Sequence, residues 1–384
     1  MRFIHTADWH LGRLFYGNHL TEDQAHALNQ VVDLCREYRP DVLIVAGDIY
    51  DRAVPPPEAV ELLDDVLCRL VLDVKVPVVL IAGNHDSPGR LHFAARLLSG
   101  QGLHVRGTLS ADVSPIVFHD GHGPVHVYAL PYSEPSVVRQ TLNSKEDLDH
   151  HGAMAALTGK CRERHPSHCR SILVAHAFVT GGQISESERP LSIGGAGTVD
   201  ASCFEGFHYV ALGHLHRPQQ IKCNGTPVHY SGSLLKYSFD EADHVKSVAL
   251  VEMDGDGKCQ MQAIPIRPRR DVRRVTAKFA DLLASKIDGV GEDDYLEVTL
   301  LDEGPIVNLM TRLREVFPNS AQLKRAGQTG PAKTDRASLP HEGRSDLELF
   351  RDFYAYVTAK PLNDEQERAL SNVLESLSRS QRHA

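Results

Sequence analysis

Among the 384 residues there is one tryptophan, aromatic residues amount to 6%, and no two of the seven cysteines form a CxxC pair. The cysteines, at 35, 68, 161, 169, 203, 223 and 259, are odd in number, and Cys35 and Cys68 fall on apolar helix faces. They read as core thiols in a reducing compartment and not as a disulfide framework. Acidic residues outnumber basic ones, 50 to 41. A net charge of −9 excludes a protein coated with basic surface for nucleic acid, but leaves room for a local basic groove or for cations and partners that supply the charge. No apolar run approaches the ~20 residues of a membrane span. No signal peptide precedes the first chemistry-bearing residues, His5 and Asp8, so the expected location is the cytoplasm. A GxxxxGKS/T phosphate loop is also missing, so any ATP use would belong to a partner.

Histidine, by contrast, is abundant: 22 residues of the commonest side-chain metal ligand. With 42% apolar and 24% charged residues the rest is ordinary for a globular chain, long enough for one sizeable core and a second, smaller unit. The stretch VPVVLIAGNHD, residues 76–86, sets the pattern. Val78 to Ile81 form a buried strand, which breaks at Gly83 into three crowded polar side chains, Asn84, His85 and Asp86. Ligands of open α/β sheets sit beyond the carboxyl ends of strands, so this stretch reads as one wall of a metal site.

Strand and helix patterns alternate along the first two-thirds of the chain. Strands are expected at 3–4, 42–46, 78–81, 116–118, 125–130, 172–175, 209–212, 228–230 and 245–253. Thr21 to Gln24 has capping-box spacing and opens a helix carrying Leu28, Val31, Val32 and Cys35 that stops before Pro40. Pro55 to Pro57 start a second helix, with Val60, Leu63, Leu67 and Leu70 at helical spacing, and a third is expected over 91–98. Such alternation predicts a layered α/β domain with a largely parallel central portion. The expected divisions are a main domain over 1–266 and a small α+β unit over 267–325, behind a basic run at Arg267, Arg269 and Arg270. A flexible linker over 326–345 and a tail of amphipathic helices over 346–384 complete the chain.

Chemistry gathers at strand ends. Asp8 and His10 follow the first strand and Asp48 the second; Asn84 and His85 follow the third. His176 and the pair His214 and His216 follow two later ones. Carboxylate, imidazole and amide donors together suit Mn²⁺, Fe²⁺ or Zn²⁺ and not a thiolate site. Asp48, placed between the other two groups in chain order, is the natural bridge of a two-metal hydrolase, whose ions sit about 3.5–4 Å apart. Singly, each of these residues is an ordinary capping or loop residue. As an ordered set at five strand ends they are the signal.

DWH (8–10), GD (47–48), GNHD (83–86), His176 and GHLH (213–216) resemble the calcineurin-like metallophosphoesterase superfamily. The wording around them, HTADWHLGR, VAGDIYDR, IAGNHDSP, ALGHLHRPQ and HYSGSLLKYSFDE, is similar to that of the SbcD family of bacterial DNA-end-processing nuclease subunits. The resemblance implies a β-sandwich domain flanked by helices, with a capping domain and helical tail after it. It implies one metal held by Asp8, His10, Asp48 and His216 and a second by Asp48, Asn84, His176 and His214, usually as Mn²⁺. His85, next to a ligand but without a metal of its own, becomes the general acid or transition-state stabiliser; Asp86 either orients it or caps the next helix. The family activity is double-strand 3'-5' exonuclease and single-strand endonuclease action with an SbcC-type ATPase, to which the tail would dock. The resemblance also implies a homodimer built on the helices flanking GNHD, with candidate faces at Val60, Leu63, Leu67 and Leu70 and at Leu91, Ala94, Ala95 and Leu98. Arg13, Arg267, Arg269 and Arg270 are candidate phosphate contacts, although a solvated hinge face explains the last three as well. A stand-alone phosphoesterase for nucleotides and a non-enzymatic scaffold are the rival readings.

Overall fold

In this computed structural model the described residues are 1–188, 197–284, 287–326, 347–348, 350–351, 354–355 and 361–381. Two six-stranded sheets carry the first unit, which comprises Met1–Arg274, Gly289–Leu296 and Phe317–Ala321. In the first sheet the order is Cys259–Pro265, Ser247–Met253, Arg2–Thr6, Val42–Val45, Val78–Ile81 and Leu103–Arg106. The last four run parallel, and Ser247–Met253 pairs antiparallel with Arg2–Thr6. The second sheet runs Gln219–Ile221, Val228–Tyr230, Tyr209–Gly213, Arg170–His176, Gly123–Ala129 and Ile116–Asp120, its middle four parallel.

The sequence of each central strand explains this stacking. Successive side chains point to opposite faces, and here both faces are covered, so the strands read as unbroken apolar runs. Phe3, Val42, Ile44, Val79 and Ile81 meet Val125, Val127, Ile172, Val174, Tyr209 and Ala211 in a core between the sheets. Ile4, Leu43, Val45, Val78 and Leu80 face the other way, onto the helices Thr21–Tyr38 and Pro57–Cys68. Leu173, Ala175, Val210, Leu212 and Tyr230 do the same on the far side, with the helix His150–Arg164. Helix, sheet, sheet, helix is the layering, and both sheets present their parallel carboxyl ends to the same loops.

Three local expectations need correction, the first at Cys68, which is exposed and not a core thiol. Thr21–Tyr38 is helical and buries Leu28, Val31, Val32 and Cys35, but no capping box forms; its N-cap is Leu20, without a side-chain cap bond. Asp23 and Gln24 are instead turned inward, because each has buried partners to satisfy. The helix expected over 91–98 is two short pieces, Pro88–Leu91 and Ala95–Ser99, parted by Ala94 in a left-handed conformation (φ 57°). Leu91, Ala95 and Leu98 of the expected face do pack on the core, while Phe93 and Leu97, off that face, are 81% and 80% exposed. Local pattern also passed over Leu103–Arg106, Gln219–Ile221, Cys259–Pro265 and the helix Pro135–Leu142.

The second unit comprises Val275–Asp288, Glu297–Val316 and Gln322–Ala384. Its described residues include the short helices Phe279–Leu283 and Leu309–Val316, with Phe279, Leu282, Val298, Leu300 and Leu313 buried and Arg312 over the Phe279 ring at 4.8 Å. Val272–Ala277, Tyr295–Leu300 and Ser320–Arg325 form a three-stranded sheet with Tyr295–Leu300 in the middle. The expected linker lies, apart from Ala326, outside the described residues, whereas the last tail helix is present as Asp364–Gln381.

Candidate metal centre

The loops after the parallel strands are strained where the polar residues sit. Asp8 (φ 54°), His10 (φ 46°), Asp48 (φ 50°) and His214 (φ 107°) all occupy the left-handed region, which costs a non-glycine residue about 1–3 kcal/mol. Strain of this kind persists only where the surroundings over-determine it, and here they do. The backbone N–H groups of Asp8, His10 and Leu11 donate to the carbonyls of Gly47, Asp48 and Ile49 at 3.0, 3.0 and 2.9 Å, zipping two loops together. From the first helix Gln24 donates to the carbonyls of His10 (2.7 Å) and Trp9 (3.2 Å) and accepts from Gly12 N–H (3.1 Å). Gly83 must be glycine, since a Cβ there would lie 2.1 Å from Asp48 Oδ1.

These loops bring together side chains from five strand ends. Asp48 Oδ2 lies 3.4 Å from His176 Nε2, 3.7 Å from His10 Nε2 and 3.9 Å from His85 Nε2. Asn84 Oδ1 is 2.9 Å from His176 Nε2 and 3.1 Å from His214 Nδ1, and His10 Nε2 faces His216 Nε2 at 3.0 Å. Asp8 Oδ1 accepts from His214 N–H at 2.9 Å, and His176 Nδ1 lies 2.9 Å from the Ala46 carbonyl. Asp8, His10, Asp48, His176, His214 and His216 are all buried.

Burial and mutual charge set the electrostatics. Loss of water pushes the Asp8 carboxyl well above its ordinary range, an effect that Asp48 reinforces and His176 opposes. Burial would raise Asp48 too, but the imidazoles of His176, His10 and His85 outweigh it and hold that carboxyl well below the usual range. Burial alone would lower His176; Asp48 and Asp8 overcome it and carry the imidazole to about 9. At His214 burial, reinforced by His176, prevails over the attraction of Asp48 and drives the imidazole down to about 3.

Divalent ions bind nitrogen and oxygen at about 2.0–2.2 Å, so neighbouring donors in one coordination sphere lie roughly 3 Å apart. Donor separations of 3.0–3.7 Å among His10, His216, Asp48 and His176 fit that requirement. Asp8, His10 and His216 form one group tight enough to hold an ion, and Asp8, Asp48 and His176 another. A third group joins His10 and His85 to Asp51, a carboxylate that strand-end spacing did not single out; buried His10 Nδ1 is 3.6 Å from its Oδ1 and makes no hydrogen bond.

Asp86 does not face His85. Its carboxylate accepts three main-chain N–H groups, from Gly83 (2.8 Å), Tyr50 (2.9 Å) and Ile49 (3.1 Å), and so staples the GNHD turn to the Asp48 loop. Burial, with Asp48 nearby, raises it to about 7. It caps no helix either, for the next helix takes Ser87 as its N-cap. The atom at His85 Nδ1 is the Asp51 carbonyl, 2.7 Å away, while His85 N–H donates to Asp48 Oδ1 at 2.9 Å. The orienting contact expected from Asp86 thus comes from a main-chain oxygen.

Arg13 stands beside this site: it donates to Asp51 Oδ1 (3.2 Å) and the Ser187 carbonyl (3.1 Å) and lies over the Tyr237 ring at 4.7 Å. With Gly12, Leu14, Asp51, Arg52, His85 and Ser187 it lines a cavity of about 200 Å³. The other basic candidates are placed elsewhere. Arg269 pairs with Glu22, and Arg270 forks onto buried Asp23 at 2.9 and 2.6 Å while covering Tyr295. Arg267 and Arg270 line a separate cavity of about 280 Å³. Gln24, Ser187, Glu241 and Lys246 support the site from behind and were not legible as such; only the polar density of YSFDE, ending in Glu241, hinted at it.

Residues 1–218 match a family model described as calcineurin-like phosphoesterase. Residues 268–358 match a second, SbcD_C, described as the type 5 capsule protein repressor C-terminal domain. Among solved structures the chain is similar to TT1561 of Thermus thermophilus, at 12% identity and a TM-score of 0.41, covering 69% of this chain and 99% of that one. It is also similar to a dimetal phosphatase from Danio rerio (14%, TM-score 0.44, 70% and 97% covered). A third is GAP50, the anchor in the inner membrane complex of Plasmodium (12%, 0.40, 86% and 98%).

Proposed function

The chain belongs to the calcineurin-like phosphoesterase family, and from that premise we propose that it is the nuclease subunit of an SbcC–SbcD-type complex that hydrolyses phosphodiester bonds at DNA ends. The observation that carries the hydrolytic part is the convergence of Asp8, His10, Asp48, Asn84, His176, His214 and His216 on donor separations of about 3–4 Å. The match of residues 268–358 to SbcD_C supports the DNA-end reading and the SbcC-type ATPase partner. Asp8, His10, Asp48 and His216 would hold one divalent ion and Asp48, Asn84, His176 and His214 the other, with Mn²⁺ the expected metal. Bound there, two divalent ions neutralise the phosphodiester and make a hydroxide available near neutral pH.

The chain's own residues do the rest. A carbonyl only accepts, so the short contact to Asp51 holds a proton on His85 Nδ1; as the imidazolium the ring carries its second proton on Nε2, the atom that delivers it to the leaving sugar oxygen and is left bare. Asp48 holds the His85 main chain, which keeps acid and ligand set in register. Arg13, immobilised by Asp51 and Tyr237, lines the adjoining cavity and suits a phosphate on the substrate strand. The homodimer reading rests on the family resemblance: of its candidate faces Leu63, Leu70 and Ala95 are buried in the core, and Val60 is 45% exposed. The domain plan proposed with this function is a nuclease domain over 1–266, a DNA cap over 267–325, a linker over 326–345 and a docking tail over 346–384.

The test is hydrolysis of blunt duplex, hairpin and single-stranded DNA by purified protein, with and without an SbcC-type ATPase, in Mn²⁺ and after chelation. Metal-dependent shortening of duplex ends supports the reading. Activity confined to nucleotides would move the protein to the stand-alone phosphoesterases, and none on any substrate with the partner present would make it a scaffold.

A further inference from the structure

His216 is gripped at three points by side chains distant from it in sequence. Its N–H donates to Glu188 Oε1 at 2.6 Å, its carbonyl accepts from Lys246 Nζ at 2.7 Å, and its Nδ1 is 2.6 Å from Ser187 Oγ. Ser187 Oγ donates to Glu241 Oε1 at 2.5 Å, and Glu241 Oε2 is 2.5 Å from Lys246 Nζ. Glu241 is 0% exposed, His216 1%, Lys246 5% and Ser187 9%.

A count of protons determines the tautomer. Glu241, beside an ammonium and accepting also from Ser238 Oγ at 2.8 Å, is a carboxylate and only accepts. A hydroxyl has one hydrogen, and that of Ser187 goes to Glu241. Toward His216 the Ser187 oxygen can therefore only accept, so Nδ1 carries the imidazole proton and Nε2 keeps its lone pair. That lone pair points at His10 Nε2, 3.0 Å away. Among the described residues no comparable chain of side chains stands behind His176, whose Nδ1 meets a main-chain carbonyl.

We propose that Glu241, Ser187 and Lys246 form a positioning relay that locks His216 in its Nδ1–H tautomer, so that a bare Nε2 is in place before a divalent cation arrives. The proposal rests on the reading of this site as a metal centre. Three groups fixed by one ion pair make the histidine a preorganised ligand, and outer partners of this kind are worth about 10–100-fold in metal affinity.

The experiment uses the full chain, metal-stripped and ¹⁵N-histidine labelled, with the tautomer of His216 read from long-range ¹H–¹⁵N correlations and Mn²⁺ binding from calorimetry. Wild type is expected to give the Nδ1–H tautomer without metal. Ser187→Ala is expected to shift His216 toward Nε2–H and to weaken Mn²⁺ binding about 10–100-fold. Ser187→Thr, which keeps the hydroxyl, should restore both, whereas isosteric Ser187→Val should not; that pair separates the hydroxyl from packing. Unchanged tautomer and Mn²⁺ affinity within about twofold of wild type in Ser187→Ala and Ser187→Val would overturn the relay. Wild type that carries the Nδ1–H tautomer but takes up no Mn²⁺ supports the lock and overturns the metal reading alone.

Discussion

The two sides of the candidate centre are built by different means. On the His176 side the anchor is main chain: His176 ends a central parallel strand, its Nδ1 rests on the Ala46 carbonyl, and Asn84 bridges to His214. On the His216 side the anchors are side chains from positions 187, 188, 241 and 246, three of them, Ser187, Glu241 and Lys246, buried. A main-chain anchor is reproduced by any sequence that makes the sheet, whereas a side-chain relay exists only if several particular residues are kept. The first side should resist substitution of its surroundings, and the second should fail in steps. Asp48 lies 3.4 Å from His176 and 3.7 Å from His10, within reach of both sides.

The largest effect is therefore expected at the shared residue. Asp48→Ala should abolish metal uptake on both sides and lower hydrolysis of a generic phosphodiester at least about a thousandfold. Retention of one ion, read by calorimetric stoichiometry, would break the view that the sides share a carboxylate. His85→Ala should lose about 10²–10⁴ in turnover while metal content stays at the wild-type value; equal metal loss in both variants would make His85 a ligand and remove it as the acid.

The strand that ends in His176 begins at Arg170, which forks onto Asp120 at 2.8 and 2.5 Å with both side chains largely buried. The Arg170 hydrogen bonds outweigh burial and hold the Asp120 carboxyl well below the ordinary carboxylate range. A carboxyl depressed in the folded state contributes stability that is complete above its unfolded value, near 3.9, and is lost as pH falls toward the folded value. Asp120→Asn should thus cost about 3 kcal/mol near neutral pH and flatten the loss of stability below about pH 4. Urea melts across pH check it, and an unchanged acid limb would show that Asp120 is not the group responsible. The smallest effect is expected at the rim: Arg13→Ala should lower the slope of log K against log salt for duplex DNA by about one, and an unaltered slope would remove Arg13 from the phosphate contacts.

Much of the fold was legible because the central strands are buried on both faces. Val78 to Ile81 and Val42 to Val45 are apolar throughout and end in glycine-flanked polar loops, so local pattern located both the strands and their ends. Where exposure and context decide, local pattern misled. Residues 91–98 carry helical spacing, and Leu91, Ala95 and Leu98 pack on the core, yet Ala94 adopts a left-handed turn that breaks the helix in two. Thr21 to Gln24 has the letters of a capping box, but Asp23 binds Arg270 and Gln24 the metal loop, demands from residues far along the chain that outweigh a cap worth about 1 kcal/mol.

By itself the amino-acid order determined the layered architecture and the strand-end donors, because both follow from short-range periodicity: two residues per strand repeat, and a polar loop wherever a buried strand must stop. Only the tertiary structure decided how those donors are held. The strain at Asp8, His10, Asp48 and His214, the hold of Ile49 and Tyr50 on Asp86 that turns it from His85, and the linkage of His216 to Glu241 through Ser187 depend on groups tens to hundreds of residues apart. Satisfying buried charge is a three-dimensional problem, and chain order alone does not say which partners will meet.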